Sequence, residues 1–319
     1  MHMKRILFCI MAVFTLAACK SEIADVEVGP YTISVIDDNV YHIQDYNSDN
    51  LAGENFDAEG NLVHFNNCSD IYLIVGKKSA LLVDLSNDIK WADNAAESLR
   101  QLVAERVDGK PLTITFTHNH GDHTGMLHAF IEDKSIHYAL PEPDFNAPAE
   151  NYPDLDISFI NDGYVFDLGG VKIETIIVPG HTDGSAVFSI EGRDILLTGD
   201  AIGSGHGVWI FNTDGFQKYS AGVPHLISWI EDPANGIDIE KLRLFGGHYW
   251  QKDWFPEMKD KEFGMSYIYD MQALVNEIKD GTAYAEPSGL NHRVLDTYFR
   301  HGMATVAWNA AQAEEYSKN

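Results

Sequence analysis

The run Thr117-His118-Asn119-His120-Gly121-Asp122-His123-Thr124-Gly125 places three imidazoles and a carboxylate close together. It follows a short β-rich stretch, Leu112–Thr117. His118 and His120 are two apart, so in extended backbone their side chains leave the chain on the same side and can grip one ion together. Gly121 permits a sharp turn. Asp122 and His123, just past it, can face a second ion beside the first. Imidazole and carboxylate donors suit zinc, and also manganese or iron.

Three more candidates stand at strand ends. His181 lies in Val178-Pro179-Gly180-His181-Thr182-Asp183-Gly184-Ser185, Asp200 ends Leu196-Leu197-Thr198-Gly199-Asp200, and His248 ends Leu244-Phe245-Gly246-Gly247-His248. Each follows an apolar run and a glycine, which delivers a polar side chain to the rim of a sheet. The carboxylate of Asp200 has two oxygens and can bridge two cations.

The elements that must position these residues are legible as alternating strands and helices. Strand-like runs cover Tyr31–Ile36, Val40–Gln44, Ile71–Val75 and Ala80–Asp84, the last two joined at Gly76-Lys77-Lys78-Ser79. Residues 88–107 have helical spacing. Further strands are expected at Tyr164–Leu168, Val171–Val178, Ala186–Ile190, Asp194–Thr198 and Leu242–Phe245, with a helix at Phe216–Trp229. From Glu257 onward the pattern reads as helical, interrupted at Glu286-Pro287-Ser288-Gly289. Strands, helix, strands, helix imply α/β architecture with two mixed sheets face to face and helices outside.

Taken in order, the His-x-His-x-Asp-His run, the Gly-His-Thr segment, the Thr-Gly-Asp segment and the late Gly-His resemble the metallo-β-lactamase superfamily of metallo-hydrolases, with a lactonase-like or glyoxalase II-like dinuclear site. The resemblance spans roughly residues 31 to 250. It implies an αββα sandwich over 31–255, and we expect a helical C-terminal extension over 256–319. It further implies that one ion takes His118, His120 and His181, that the other takes Asp122, His123 and His248, and that Asp200 and a hydroxide bridge them. Two zinc ions per chain are expected, with manganese or iron as alternatives. Asp84, ending Leu81-Leu82-Val83-Asp84, matches an aspartate that orients the metal loop from behind. The departures from the pattern fall on the pocket: Met126 follows Gly125, Asp183 stands where proline is common, and Tyr249-Trp250 follow His248.

The implied reaction is attack by the bridging hydroxide on a small ester-like or lactone-like carbonyl, with Asp122 and Asp200 in the catalytic centre. Tyr249, His206 and Tyr219 are candidates to stabilise the oxyanion. β-Lactam, thioester and phosphodiester hydrolysis, a mononuclear-iron dioxygenase and a non-catalytic metal-binding lipoprotein are the alternatives. Metallo-β-lactamases that use a metal-binding cysteine would carry it where Asp200 stands, which disfavours that class. A formal charge of -26 repels nucleic acid and other polyanions. Trp209, Phe211, Tyr249, Trp250 and Trp254 can line an apolar pocket. A small neutral or lipophilic substrate is therefore favoured.

The beginning of the chain reads as an export signal. Lys4 and Arg5 precede an apolar run, Ile6–Leu16, too short to span a bilayer comfortably. Leu16-Ala17-Ala18-Cys19 resembles the bacterial lipoprotein cleavage box, so 1–18 is expected to be removed and Cys19 acylated, with 19–30 as a polar tether. That would hold the protein on a membrane of the cell envelope, facing the periplasm. Of the 3 cysteines only Cys68 would then remain as a thiol, which excludes an intramolecular disulfide framework.

Overall fold

A computed structural model describes residues 26–45, 69–90, 92–146, 154–203, 207–254, 261–290 and 292–318. The expected signal at 1–18, Cys19, Cys68 and His206 lie outside the described residues. Among the described residues no helix is long and apolar enough to cross a membrane.

The apolar runs form two large sheets. The first holds β1 (Val26–Val28), β2 (Tyr31–Asp37), β3 (Val40–Asp45), β4 (Ile71–Val75), β5 (Ala80–Val83), β6 (Leu112–Thr115), β7 (His137–Pro141) and β8 (Asp156–Ile160), side by side in chain order. Its first five strands are antiparallel, and β5 to β8 run parallel. The second sheet holds β9 (Val165–Asp167), β10 (Lys172–Ile177), β11 (Ala186–Ile190) and β12 (Ile195–Gly199) in an antiparallel meander. Past β13 (Val208–Trp209) the chain returns as β14 (Arg243–Gly246), which adds parallel to β12.

Strands buried on both faces need apolar residues on both, which is why β4, β5, β11 and β12 read as continuous apolar runs rather than alternations. Leu81 and Val83 face inward with Phe188, Ile190, Ile195 and Leu197, forming the layer between the sheets. Leu73, Leu82 and Ile114 face outward under Leu99, Leu102 and Val103 of α1 (Ala95–Val107). After the single turn α2 (Gly121–Thr124), helices α3 (Thr213–Glu231) and α4 (Met265–Lys279) cover the second sheet, with Val223, Leu226, Ile268 and Met271 packed on Ile176, Val187 and Leu196. The result is the expected αββα sandwich.

Two stretches differ from the sequence reading. The helix expected from Asp88 begins at Ala95. Asp84 and Ser86 take left-handed backbone angles (φ 61° and 60°), and the Leu85 N–H and Ser86 carbonyl bond to the metal loop at His123 and Gly125 instead of to a helix. The C-terminal segment is not all helical either. Beyond α4 it forms β15 (Tyr284–Pro287), β16 (Thr297–His301) and β17 (Ala304–Trp308) before α5 (Ala310–Tyr316). Thr297-Tyr298-Phe299 and Thr305-Val306 are strand formers, and Gly302 supplies the positive φ of the turn between them. These strands join β13 in a third sheet, β13-β17-β16-β15.

The C-terminal strands are thereby part of the core. Trp308 is fully buried and stacks on Phe216 of α3, with ring centroids 4.5 Å apart. Trp308→Ala is expected to destabilise the protein by about 3–5 kcal/mol, the usual cost of a large cavity. Urea unfolding of the two forms measures this, and an unchanged midpoint would refute it.

Candidate metal centre

All the candidate ligands leave the carboxyl ends of strands, where open α/β sheets place their sites. The loop after β6 carries His118 and His120, and α2 carries Asp122 and His123. His181 follows β10, Asp200 follows β12 and His248 follows β14. The two sheets meet along this edge, so seven side chains separated by up to 130 positions in the chain converge on one spot. Gly247 makes the convergence possible: a Cβ there would collide with Asp200 and with the His123 ring.

Two sets emerge. His118 Nε2, His120 Nδ1 and His181 Nε2 lie 2.9–3.2 Å from one another. Asp122, His123 and His248 form the second set, with ligand atoms all within 4.8 Å of one another. Asp200 spans both. Its Oδ2 lies 3.6 Å from His181 Nε2 and 3.5 Å from His248 Nε2, and its Oδ1 lies 3.6 Å from His123 Nε2.

Hydrogen bonding behind the rings determines which nitrogens point inward as lone pairs. The Trp209 carbonyl can only accept, so His181 Nδ1–H donates to it at 2.9 Å. The Thr117 hydroxyl donates to Asp84 and therefore accepts from His118 Nδ1–H at 3.1 Å. His123 Nδ1–H donates to Asp84 at 2.9 Å. His118 Nε2 and His181 Nε2 are thus both acceptors, facing each other at 3.2 Å with no proton to share. His123 Nε2 and Asp200 Oδ1 are buried and have no hydrogen-bond partner. Buried acceptors facing acceptors are costly, and a cation between them removes the cost. Ligand bonds of about 2.0–2.2 Å in a tetrahedral arrangement space ligand atoms by about 3.3 Å, close to the separations seen. The residues therefore fit metal ions.

The electrostatics divide the two sets: the first is neutral, whereas His123 and His248 of the second hold protons that metal ions would displace. Burial pushes His118 well below the ordinary histidine range, lowers His120, and takes His181 down to about 4. Burial also acts to lower His123, but Asp84 and Asp200 outweigh it and raise the group to about 10. His248 is likewise driven well above its usual value by Asp200 and Asp122 against its own desolvation. Burial opposes ionisation of Asp122 and Asp200, yet the neighbouring histidines hold Asp122 at about 2 and Asp200 well below the carboxylate range. Both carboxylates are only partly exposed, and ionised they are stabilised by positive charge beside them.

Sequence reasoning missed the residues that hold the ligands from outside. Asp144, in the turn after β7, accepts from the Asn119 N–H at 3.2 Å, the Thr182 hydroxyl at 2.7 Å and the Gly184 N–H at 2.6 Å. It clamps the His118–His120 loop to the His181 loop. Ser69 and Asp70 do the same for the second set. The Ser69 hydroxyl donates to the Asp122 carbonyl. The Asp70 N–H donates to the Gly247 carbonyl at 2.6 Å, and its carboxylate accepts the Tyr249 N–H at 2.6 Å, gripping His248 on both sides. His42 bonds to the same carboxylate at 2.8 Å. The one available signal was position: these residues flank strand ends on the site edge.

The oxyanion candidates fare unequally. Tyr219 is fully buried beneath Gly180 in the helix-packed core, away from the rim. The Tyr249 ring packs on Phe245 and Phe263, with Lys252 over its face. His206 lies outside the described residues, as do the side chains of Trp250 and Trp254. Phe211 does reach the site, its ring centroid 5.8 Å from His120 and 5.5 Å from His181.

Asp70→Ala is expected to weaken metal retention by about 10- to 100-fold, the usual cost of losing a residue that orients a ligand. Elemental analysis after dialysis against graded chelator concentrations measures this, and retention equal to the parent's would rule out the clamp.

A sequence model of the family described as the metallo-beta-lactamase superfamily matches residues 69–232. Among curated proteins, the chain is 31% identical over 176 residues to an atrochrysone carboxyl ACP thioesterase of Aspergillus chevalieri, covering 54% of this chain and 53% of that protein. It is 28% identical over 178 residues to the lactamase-like protein adaB of Aspergillus niger, covering 54% and 51%. The chain thus spans about half the length of the curated relatives it matches. A metallo-beta-lactamase from Pontibacter korlensis superposes with a TM-score of 0.54 at 15% identity, over 77% of this chain and 99% of that one. One from Erythrobacter litoralis gives 0.52 at 17%, over 80% and 100%. These structural likenesses speak to the fold, and the match that begins at Ser69 and takes in six of the seven converging side chains speaks to descent: the chain belongs to the metallo-beta-lactamase superfamily.

Proposed function

We propose that the protein is a two-metal hydrolase, with zinc as its metal, acting on an ester-like carbonyl such as a lactone or thioester. One observation carries the reading: buried lone pairs on His118 and His181 face one another at 3.2 Å without a proton between them, in one of two ligand sets joined by the Asp200 carboxylate. Imidazole and carboxylate donors without sulfur suit zinc at such a centre. A pair of divalent cations there would lower the pKa of a shared water and polarise a carbonyl.

The chain's own residues then have definite tasks. His118, His120 and His181 present neutral nitrogens, kept so by burial, while the Thr117 and Trp209 bonds fix the tautomers of His118 and His181. Asp200 reaches both sets and offsets the repulsion between two cations. Asp122, held by His248 at 3.4 Å, stays ionised and can take a proton from an attacking water. The relatives named as thioesterases support extending the substrate class from lactones to thioesters. The charge of -26 argues against polyanionic phosphodiesters.

Asp200→Asn keeps the volume and removes the charge. Turnover is expected to fall by about 10²-fold or more, equivalent to about 3 kcal/mol of transition-state stabilisation, with lower metal content at the His248 set. Kinetics against panels of lactones, thioesters, β-lactams and phosphodiesters, paired with elemental analysis, test both statements. Normal turnover with two ions retained would remove Asp200 from the bridge. One iron per chain with oxygen uptake would replace the hydrolase reading by an oxidative one.

We also propose that Cys19 anchors the protein to a membrane, on the strength of Leu16-Ala17-Ala18-Cys19 after a basic and apolar run. Cys19→Ser is expected to shift the protein out of the membrane fraction or leave its precursor uncleaved. A parent protein that fractionates as soluble and carries no acyl mass would overturn this.

A further inference from the structure

The third sheet touches the candidate metal centre through β13. Its residue Trp209 gives the carbonyl that fixes the His181 tautomer. Trp209 in turn pairs with Ala307 of β17, and the Ile210 N–H donates to the Ala307 carbonyl at 2.9 Å. The C-terminal strands therefore hold the backbone that orients a ligand histidine. Two residues beyond Trp209 comes Phe211. Its ring stands nearly perpendicular to His120, at 87°, and is only partly buried. Behind it lies a small apolar cluster of its own. Leu295, Tyr298 and Ala307 form its buried floor, and Trp209, Phe211, Leu290 and Val294 are its partly exposed surface. His292 sits at its outer edge, 6.1 Å from the Phe211 ring.

Phe211 thus joins the rings of His120 and His181 to an apolar cluster whose partly exposed side chains include Leu290 and Val294. Core packing alone does not account for it. Phe211 is only partly buried and lies against two ligand imidazoles, whereas Tyr298 is buried in the floor. The outer part of the surface, Leu290 and Val294, lies beyond the residues matched by the family model.

We propose that this surface binds the non-reacting part of the substrate, and that the substrate is an ester, thioester or lactone carrying an uncharged alkyl or aryl group of several carbons. The proposal rests on the hydrolase reading for the identity of the reacting carbonyl. The surface itself is independent of it. Binding energy from such a remote group serves to position the carbonyl, so its loss appears in kcat and not only in KM.

The test uses the full-length, metal-loaded protein. Acetyl and hexanoyl thioesters of N-acetylcysteamine, and γ-butyrolactone and γ-nonalactone, are compared by kcat/KM. The parent is expected to prefer the longer member of the pair it hydrolyses. Phe211→Ala should reduce that preference by about 10-fold or more, and Phe211→Leu should restore most of it. Leu290→Asp, at the far end of the surface, should reduce it as well, with metal content unchanged in elemental analysis. Calorimetric titration with 2-nonanone, a ketone that is not hydrolysed, against acetone gives a readout free of turnover. The parent should bind the longer ketone about 10-fold more tightly, and Phe211→Ala and Leu290→Asp should both abolish the difference. Hydrolysis with no length preference, or ketone binding unaffected by either variant, overturns the proposal and leaves the hydrolase reading intact. Ketone discrimination lost in both variants, in a protein that hydrolyses none of the four compounds, supports the surface and overturns the hydrolase reading.

Discussion

A single buried carboxylate organises the centre. Asp84 is fully buried at the end of β5, with its backbone in the left-handed region. Its Oδ1 accepts the Thr117 N–H at 2.7 Å, and its Oδ2 accepts the Thr117 hydroxyl and His123 Nδ1–H. Through Thr117 it sets the tautomer of His118, and directly it sets that of His123, so one residue reaches a ligand in each set. A carboxylate buried this completely is stable only with its hydrogen bonds made. The strand end, the metal loop and the two rings must therefore adopt one arrangement together. The left-handed turns at Asp84 and Ser86 are the local consequence.

The rest of the edge extends the same logic. Asp144 joins the two loops of the first set, and Asp70 with Ser69 grips the two chain segments that carry the second. Each of these carboxylates accepts backbone N–H groups, so ligand positions are set by main chain rather than by flexible side chains. That is the preorganisation a two-cation site needs, since a ligand loose by an ångström forfeits much of the stabilisation. The apolar sandwich supplies rigidity beneath it, with strands β5, β6, β12 and β14 buried on both faces.

The third sheet changes how the C-terminal segment is understood. It is not an appendage. Trp308 fills the core under α3, while the partner strand β13 carries both the Trp209 carbonyl and Phe211 to the rim. Stability and site geometry are coupled through one pair of parallel strands. Family membership leaves the substrate open, because one fold supports many chemistries and the site alone selects among them.

What the sequence by itself determined was the chemistry and the frame. Ligands within one loop, His118 to His123, reveal themselves by spacing, because short loops keep near neighbours in chain near in space. His181, Asp200 and His248 were legible because each ends an apolar run at a glycine, and strand ends in such folds share an edge. The two sheets and their helices followed from apolar periodicity. Tertiary structure alone decided the remainder. Asp70, Asp144 and His42 have no local signature, since their partners lie tens of residues away. The backbone turns at Asp84 and Ser86 and the bonds of Leu85 and Ser86 to the metal loop carry the chain past the strand end, and the helix expected from Asp88 begins only at Ala95. The strands Thr297–His301 and Ala304–Trp308 carry strand-forming residues and pair with each other, but they lie within a segment that reads as helical, and the sheet they complete includes Val208–Trp209, about a hundred residues earlier in the chain. Phe211 could be named from sequence as one of several aromatics. Only the pairing of β13 with β17 places it against His120 and His181, because a side chain's neighbours across a sheet are set by register and not by its own type.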